Sequence, residues 1–164
     1  MPKHNWTWQF ATGTDVIDIK DIAQTWFERE IDQIFDSDPI AYMHNITQAI
    51  VNQYYAPGSE LIQVAKDDHG RIVGYVWVKR GHRAPWSNQE MAVVQMVHVD
   101  MSLGARQRVA LVKDMIMIWE TWCIQFGIPI ACSTTMRGDQ MAFLRIHAQQ
   151  GYDVRGSYAY KRIL

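Results

Sequence analysis

The stretch from Val93 to Phe126 constrains this chain most. A β-branched apolar run, Val93 to Val99, leads into a short polar loop carrying Gly104, Arg106 and Arg108. A helical pattern then begins. Val109, Val112, Ile116, Trp119 and Cys123 recur three and four apart, and Met115, Trp122 and Phe126 widen the apolar face. The run reads as a buried strand and the rest as a helix packed beside it. A strand that passes through a tight basic loop into a helix start suits an anion, because the first amides of a helix lack acceptors and arginines add positive charge. The same arginines are also accounted for as solvated residues of a first turn, and the stretch alone leaves both readings open.

The 164 residues suit one domain, 1–164, with a substantial core. At 48% hydrophobic and 20% charged, the chain is globular and not disordered. A net charge of -1 gives no bulk attraction to nucleic acid or to an acidic membrane, so neither is expected as a partner. Cys123 and Cys132 lack metal-ligand spacing and read as buried thiols in a reducing compartment; no metal site is expected. The start, MPKHNW, has no apolar signal core, and no uncharged run reaches membrane-spanning length. The expectation is a soluble cytoplasmic protein.

Residues 1–14 are polar with scattered aromatics and are assigned no element. Asp15 to Lys20 alternates weakly and reads as a short first strand. Ile22, Trp26, Phe27, Glu30, Ile31 and Ile34 have helical spacing. Asp38 and Pro39 fit the N-cap and first position of a second helix, with Ile40, Met43, Ile46, Ile50 and Tyr54 along one face. Leu61–Ala65 and Ile72–Lys79 flank a polar turn and read as an antiparallel hairpin, the second strand apolar on both faces and hence central. Gly81 to Asn88 reads as a loop. Beyond the organising stretch come a parallel strand, Ile130 to Thr134, a helix capped by Asp139 and stopped at Gly151, and a last strand on which Tyr158, Tyr160 and Arg162 share a face. This order predicts an α/β fold, a mixed twisted sheet flanked by helices.

Two segments carry a family resemblance. One is Val97-His98-Val99-Asp100 with its loop and helix. The other runs from Asp139 to His147-Ala148-Gln149-Gln150-Gly151-Tyr152, where Gly151-Tyr152 stands in place of a Gly-Phe pair. Over roughly residues 15 to 164 the chain resembles the GCN5-related N-acetyltransferase (GNAT) superfamily. The resemblance implies an acyl-CoA N-acyltransferase-like fold whose fourth and fifth strands splay apart, and acetyl-CoA-dependent acetylation of a primary amine. It places Val97 and Val99 beside the pantetheine arm and Gly104, Ala105, Arg106, Gln107, Arg108 and Val109 around the diphosphate. Asp139 and Gln140 match positions that touch the cofactor arm. Gln107 and Val109 replace the loop's two small residues, so the phosphate loop reads as degenerate.

His147 falls where the family has a tyrosine that protonates the departing thiolate. Acetyl transfer also needs an acceptor for the amine's proton. His98, whose neighbours Val97 and Val99 point the other way, is the candidate base, with Glu90 behind it. Tyr75, Trp77 and Trp86 are candidates for an acceptor pocket. The alternative from another class is a catalytically inactive domain of the same fold that acts through protein contacts. Its motives are the substituted loop, the missing tyrosine and the many Trp and Met residues; stand-alone members also occur in bacteriophage genomes, which would make it virion-associated. The aromatic-rich ends also suit a homodimer.

Overall fold

The computed structural model describes residues 5–28, 34–135, 140–156, 159 and 161–163. Five strands, β1 (Trp6–Phe10), β2 (Glu60–Asp67), β3 (Ile72–Arg83), β4 (Glu90–Val99) and β5 (Ile130–Cys132), form one sheet in sequence order. Neighbours are antiparallel except β4 and β5, which are parallel. Among the described residues four α-helices flank it: α1 (Val16–Trp26), α2 (Pro39–Tyr55), α3 (Ala105–Gln125) and α4 (Met141–Gln149). This is the mixed sheet that the element order predicts.

Each face of the sheet has its own core. Ile19, Ala23, Ile46 and Ile50 of α1 and α2 pack with Ile62, Val64 and Tyr75 on one side. Leu111, Met115, Ile116 and Trp119 of α3 pack with Val76, Val78, Val94 and Val99 on the other. The middle strand β3 therefore buries both faces, as its composition requires. Gly74 lets α3 lie close, since a Cβ there would come 3.0 Å from Met115 Cε and 3.3 Å from the His98 carbonyl oxygen.

The expected strand at 15–20 is a helix. Val16, Ile19, Ala23 and Trp26 are buried at helical spacing, and Ile17 is exposed. Asp15 begins the turn by accepting the Thr12 N–H at 2.8 Å. The first strand is instead Trp6–Phe10, within the segment assigned no element. Trp6 and Trp8 alternate toward α3, and both indole N–H groups donate to Asp114 Oδ2, at 2.9 and 3.1 Å. α2 begins as read: Asp38 Oδ1 accepts the amides of Ile40 and Ala41 at 2.9 and 3.0 Å. Its buried face is turned toward Tyr42, Ile46, Ala49 and Ile50, leaving Ile40 and Tyr54 exposed.

β3 continues through the expected loop to Arg83, with a register shift between Lys79 and His82 around Gly81, whose φ is +93°. A bulge absorbs a residue of positive φ without ending the strand. β5 is shorter than expected. The cap Asp139 lies outside the described residues, and Gln140 is the N-cap of α4. Of the expected last strand, Tyr158 and Tyr160 also lie outside them. The described part of the tail forms no strand; Arg162 Nη2 reaches Asp36 Oδ2 at 2.6 Å instead.

Candidate functional site

The sheet opens at β4. Pairing with β5 covers Met91↔Ile130, Ala92↔Ala131 and Val93↔Cys132 and then stops. On the other edge, Val78 pairs with Val94 but Trp77 pairs with Met96, so Gln95 is an extra residue, a β-bulge. A bulge bends its strand and raises the local twist. It also resets the alternation. Val94, Val97 and Val99 all turn toward α3, and Met96 and His98 toward α1 and α2. From Met96 to Val99, β4 has no described strand on the β5 side. Pairing of strands four and five ends at Val93↔Cys132, where β5 itself ends.

β4 ends in a turn built by Asp100. Its amide donates to Val73 O at 2.8 Å, its Oδ1 accepts the Ser102 amide at 2.8 Å and its Oδ2 accepts Arg71 Nη1 at 2.6 Å. The turn delivers the chain to Gly104, the N-cap of α3. Gln107 folds back there, its Oε1 accepting the Gly104 amide at 3.1 Å. By helix geometry the amides of Ala105, Arg106 and Gln107 have no intrahelical acceptor. Arg106 is exposed, Arg108 is half-buried with Nη1 3.3 Å from Met101 Sδ, and Val109 is 39% exposed. Val97 and Val99 thus lie at the end of β4 and Gly104 to Val109 at the start of the helix that follows, while Gln140 is an exposed residue at the start of α4.

His98 lies on the α1/α2 side, half-buried, its ring stacked on Trp26 at 6.3 Å and 11°. Its Nδ1 is 2.5 Å from the Tyr75 hydroxyl, which is 2.5 Å from that of Tyr42. Burial pushes both phenols well above their ordinary range. His147 is on the α3 side, only 3% exposed, among Trp119, Phe143 and Tyr152. Its Nδ1 is 2.9 Å from the Phe143 carbonyl, so Nδ1 carries the hydrogen; Nε2 is a buried acceptor without a partner among the described residues. Burial lowers the His147 pKa. The two imidazoles therefore sit on opposite faces of the sheet.

Glu90 is held by Arg80, Nε to Oε1 at 2.7 Å and Nη2 to Oε2 at 2.8 Å, which keeps its carboxyl below the usual range. The acceptor-pocket candidates do not converge. Tyr75 is fully buried, Trp77 donates to Glu60 Oε2 at 2.8 Å, and Trp86 is 87% exposed. A cleft of about 410 Å³ does adjoin the end of β4, lined by Asp18, Asp21, Trp26, Arg71 and Asp100. Asp21 pairs with Lys20 and Asp100 with Arg71; Asp18 has no ion-pair partner among the described residues. Sequence reading missed Tyr42 and Asp18 as site residues: Tyr42 was hidden on a helix face read one step off, and Asp18 in a segment read as strand.

No family model matches the sequence, and no curated protein matches it. Solved structures do match. An aminoglycoside 6′-N-acetyltransferase from Acinetobacter baumannii shares 14% identity over 96% of this chain and 99% of its own, with a TM-score of 0.68. An aminoglycoside N-acetyltransferase in complex with CoA shares 12% over 99% and 98%, with a TM-score of 0.72. Glucosamine-6-phosphate N-acetyltransferase from Arabidopsis thaliana shares 11% over 97% and 99%, with a TM-score of 0.69. The chain has the fold of the GNAT acetyltransferases. Among the described residues no helix is long and apolar enough to cross a membrane.

Proposed function

We propose that this protein is an acetyl-CoA-dependent N-acetyltransferase acting on a primary amine. One observation carries the reading: β4 pairs with β5 only as far as Val93 and runs on, with no described strand beside that edge, to a helix start whose first amides have no intrahelical acceptor. An extended pantetheine arm can pair with such an edge as a strand would, and a diphosphate suits the helix start. Val97 and Val99 supply the edge. Gly104, Ala105, Arg106, Gln107, Arg108 and Val109 surround the diphosphate, and the family resemblance adds Gln140 and, outside the described residues, Asp139. The similar structure solved with CoA supports the assignment as an analogy of fold.

The transfer is direct, within a ternary complex. The thioester is already activated, so orientation supplies much of the rate. The amine enters through the cleft beside Trp26, where Asp18 is the carboxylate left to attract an ammonium. His147 serves the thiolate side. With its Nδ1–H held by Phe143, it supplies a proton only after taking one up at Nε2, which burial makes costly. His98 stands on the acceptor side of the sheet.

Calorimetric titration with acetyl-CoA and thiol release over a panel of amines test this. Micromolar binding with turnover is expected, and Asp18→Asn should raise KM more than it lowers kcat. No heat at millimolar acetyl-CoA with an unchanged melting temperature would overturn it. The reading as an inactive interaction or virion-associated domain calls for a contiguous patch of exposed tryptophans. Trp86 is exposed, but the other six are buried or half-buried, so that reading takes second place.

A further inference from the structure

A second cleft, of about 530 Å³, lies at the far end of the sheet edge. β1 pairs with β2 only as far as Phe10↔Gln63, while β2 begins further back, at Glu60. Past the end of β1 the edge is therefore left to the last turns of α2 and the second half of α3. Gln53 and Tyr54 of α2, Glu60 of β2, Trp122 and Phe126 from α3 and its end, and Phe10 line the space. From Ala105 to Trp122 the helix rises about 25 Å, so the cleft is well removed from the start of α3. Its volume is that of a small-molecule site.

Three features of the wall select the occupant. The first is charge. Glu60 is 4% exposed, and its carboxylate is the one ionised group among the described residues of the wall. Its donors, Asn52 Nδ2 and Trp77 Nε1, both at 2.8 Å, are neutral. The cation paired with it, Lys79, stands 3.7 Å away with its side chain 51% exposed. Arg80, whose Nη1 reaches the Gly58 carbonyl at 3.4 Å, is already taken by Glu90. A buried carboxylate so weakly countered attracts a cation and repels anions, CoA among them. The second feature is aromatic. Phe10, Tyr54, Trp122 and Phe126 border one space, and the negative face of an aromatic ring attracts an organic cation. Trp122 is buried with Phe126 packed on it at 5.8 Å, whereas Phe10 and Tyr54 are each 52% exposed, large rings left in water beside the cleft. The third is a donor. Gln53 Oε1 accepts the Ile62 N–H at 2.7 Å, which fixes the amide, and Nε2 is then a buried donor without a partner among the described residues. Such a donor is costly to leave unmet, and an oxygen on the occupant offsets that cost.

We infer that this cleft binds a small organic cation, an alkylated or aryl ammonium that also carries a hydroxyl or carbonyl oxygen. Glu60 and the four rings hold its charge and its apolar groups, and Gln53 holds its oxygen. The site stands apart from acetyl transfer and does not depend on that reading.

Proton–nitrogen NMR of the full-length protein, titrated with choline alone, tests this. Choline carries a quaternary ammonium and a hydroxyl, and without an N–H it is no acceptor for N-acetylation. The expected shifts are at the Trp122 indole N–H and the Gln53 side-chain amide, saturating at millimolar choline. Dimethylbutanol, the isostere with carbon in place of the nitrogen, should bind about fivefold or more weakly. Betaine, in which a carboxylate replaces the hydroxyl arm, should be weakened likewise. Glu60→Gln should remove the preference for choline over the isostere. Tyr54→Ala, at an exposed position, should weaken choline about threefold. Should Glu60→Gln fail to fold, Tyr54→Ala and the isostere decide. No shift at either group, or an isostere or betaine that binds as tightly as choline, overturns the inference, as does a folded Glu60→Gln or Tyr54→Ala with choline binding unchanged.

Discussion

Val93 sits opposite Cys132 in the last pair that joins β4 to β5, and two residues later Gln95 bulges out of the register with β3. The bulge and the end of pairing are thus neighbours on one strand. Deleting Gln95 would bring Val94 and Met96 next to each other opposite Val78 and Trp77, in regular pairing. Val97 and Val99 would still face α3, and His98 would still face α1. The deletion should therefore fold and unfold cooperatively in urea. Without the bend, β4 should lie closer to β5 along its length. Acetyl-CoA should bind about tenfold or more weakly, a loss of about 1.4 kcal/mol. Unchanged affinity in a folded deletion would show that the bulge does not hold the opening.

The N-terminal strand shares one carboxylate of α3. Trp6 and Trp8 both donate to Asp114 Oδ2, which ties β1 to α3 across more than a hundred residues of sequence. Asp114→Ala takes the shared acceptor from two part-buried indoles. The expected cost is about 1–3 kcal/mol, since hydrogen bonds to a charged group exceed neutral ones. A lowered urea midpoint with an unchanged slope is the signature. Asp114→Asn keeps an acceptor oxygen and should lose less.

The same contact shows why the strand was not legible. Period-two alternation of Trp6, Trp8 and Phe10 is present, but Thr7 and Gln9 between them resemble a polar terminus, and Asp114 is distant in sequence. The segment 15–20 failed for the opposite reason. Val16, Ile17 and Ile19 fit strand and helix alike over six residues, and what decides between them, the packing of Val16, Ile19 and Ala23 against the sheet, is tertiary. Longer periodic stretches were legible, among them β3, β4 and α3, as was the Asp38-Pro39 start of α2. Of the site, the opening of β4 followed from the resemblance. The tyrosine row did not, because nothing local to Tyr42, Tyr75 or His98 announces that three elements will bring them together.

Asp15 is 2% exposed and pairs with Lys66 Nζ at 2.6 Å. Burial alone would raise its carboxyl pKa, but the bonds from Lys66 and Thr12 outweigh it and hold the value below the ordinary one. A depressed folded value means that the carboxylate stabilises the fold above the unfolded pKa. That stability is lost as pH falls through the folded value, below about 4. Asp15→Asn should therefore be less stable than the parent at pH 7, by about 1–3 kcal/mol. The difference should shrink in acid. Urea unfolding at pH 7 and at pH 3 measures this; a gap that is equal at both would mean that the Lys66 pair contributes nothing through its charge.

At the start of α3, Gln107 occupies with its own side chain an amide that a bound anion would need. Its Oε1 accepts the Gly104 N–H at 3.1 Å, and the arginines on either side, Arg106 and Arg108, supply positive charge in a first turn where the helix dipole already opposes it. A diphosphate seated there must displace the Gln107 amide, and in return relieves that opposition. Gln107→Ala removes the competitor and should tighten acetyl-CoA binding by about 1 kcal/mol, near fivefold. It should also lower the melting temperature of the free protein slightly, because the helix loses its cap. Arg106→Ala and Arg108→Ala should weaken binding and flatten its dependence on salt, since the lost attraction is the part that ions screen. Val109→Gly, which clears a side chain 39% exposed beside the same turn, should tighten binding while costing about 1 kcal/mol of helix stability. Calorimetric titration of the four variants at two salt concentrations separates these terms. Tightening in neither Gln107→Ala nor Val109→Gly, with salt dependence unchanged in both arginine variants, would place the diphosphate somewhere other than the start of α3.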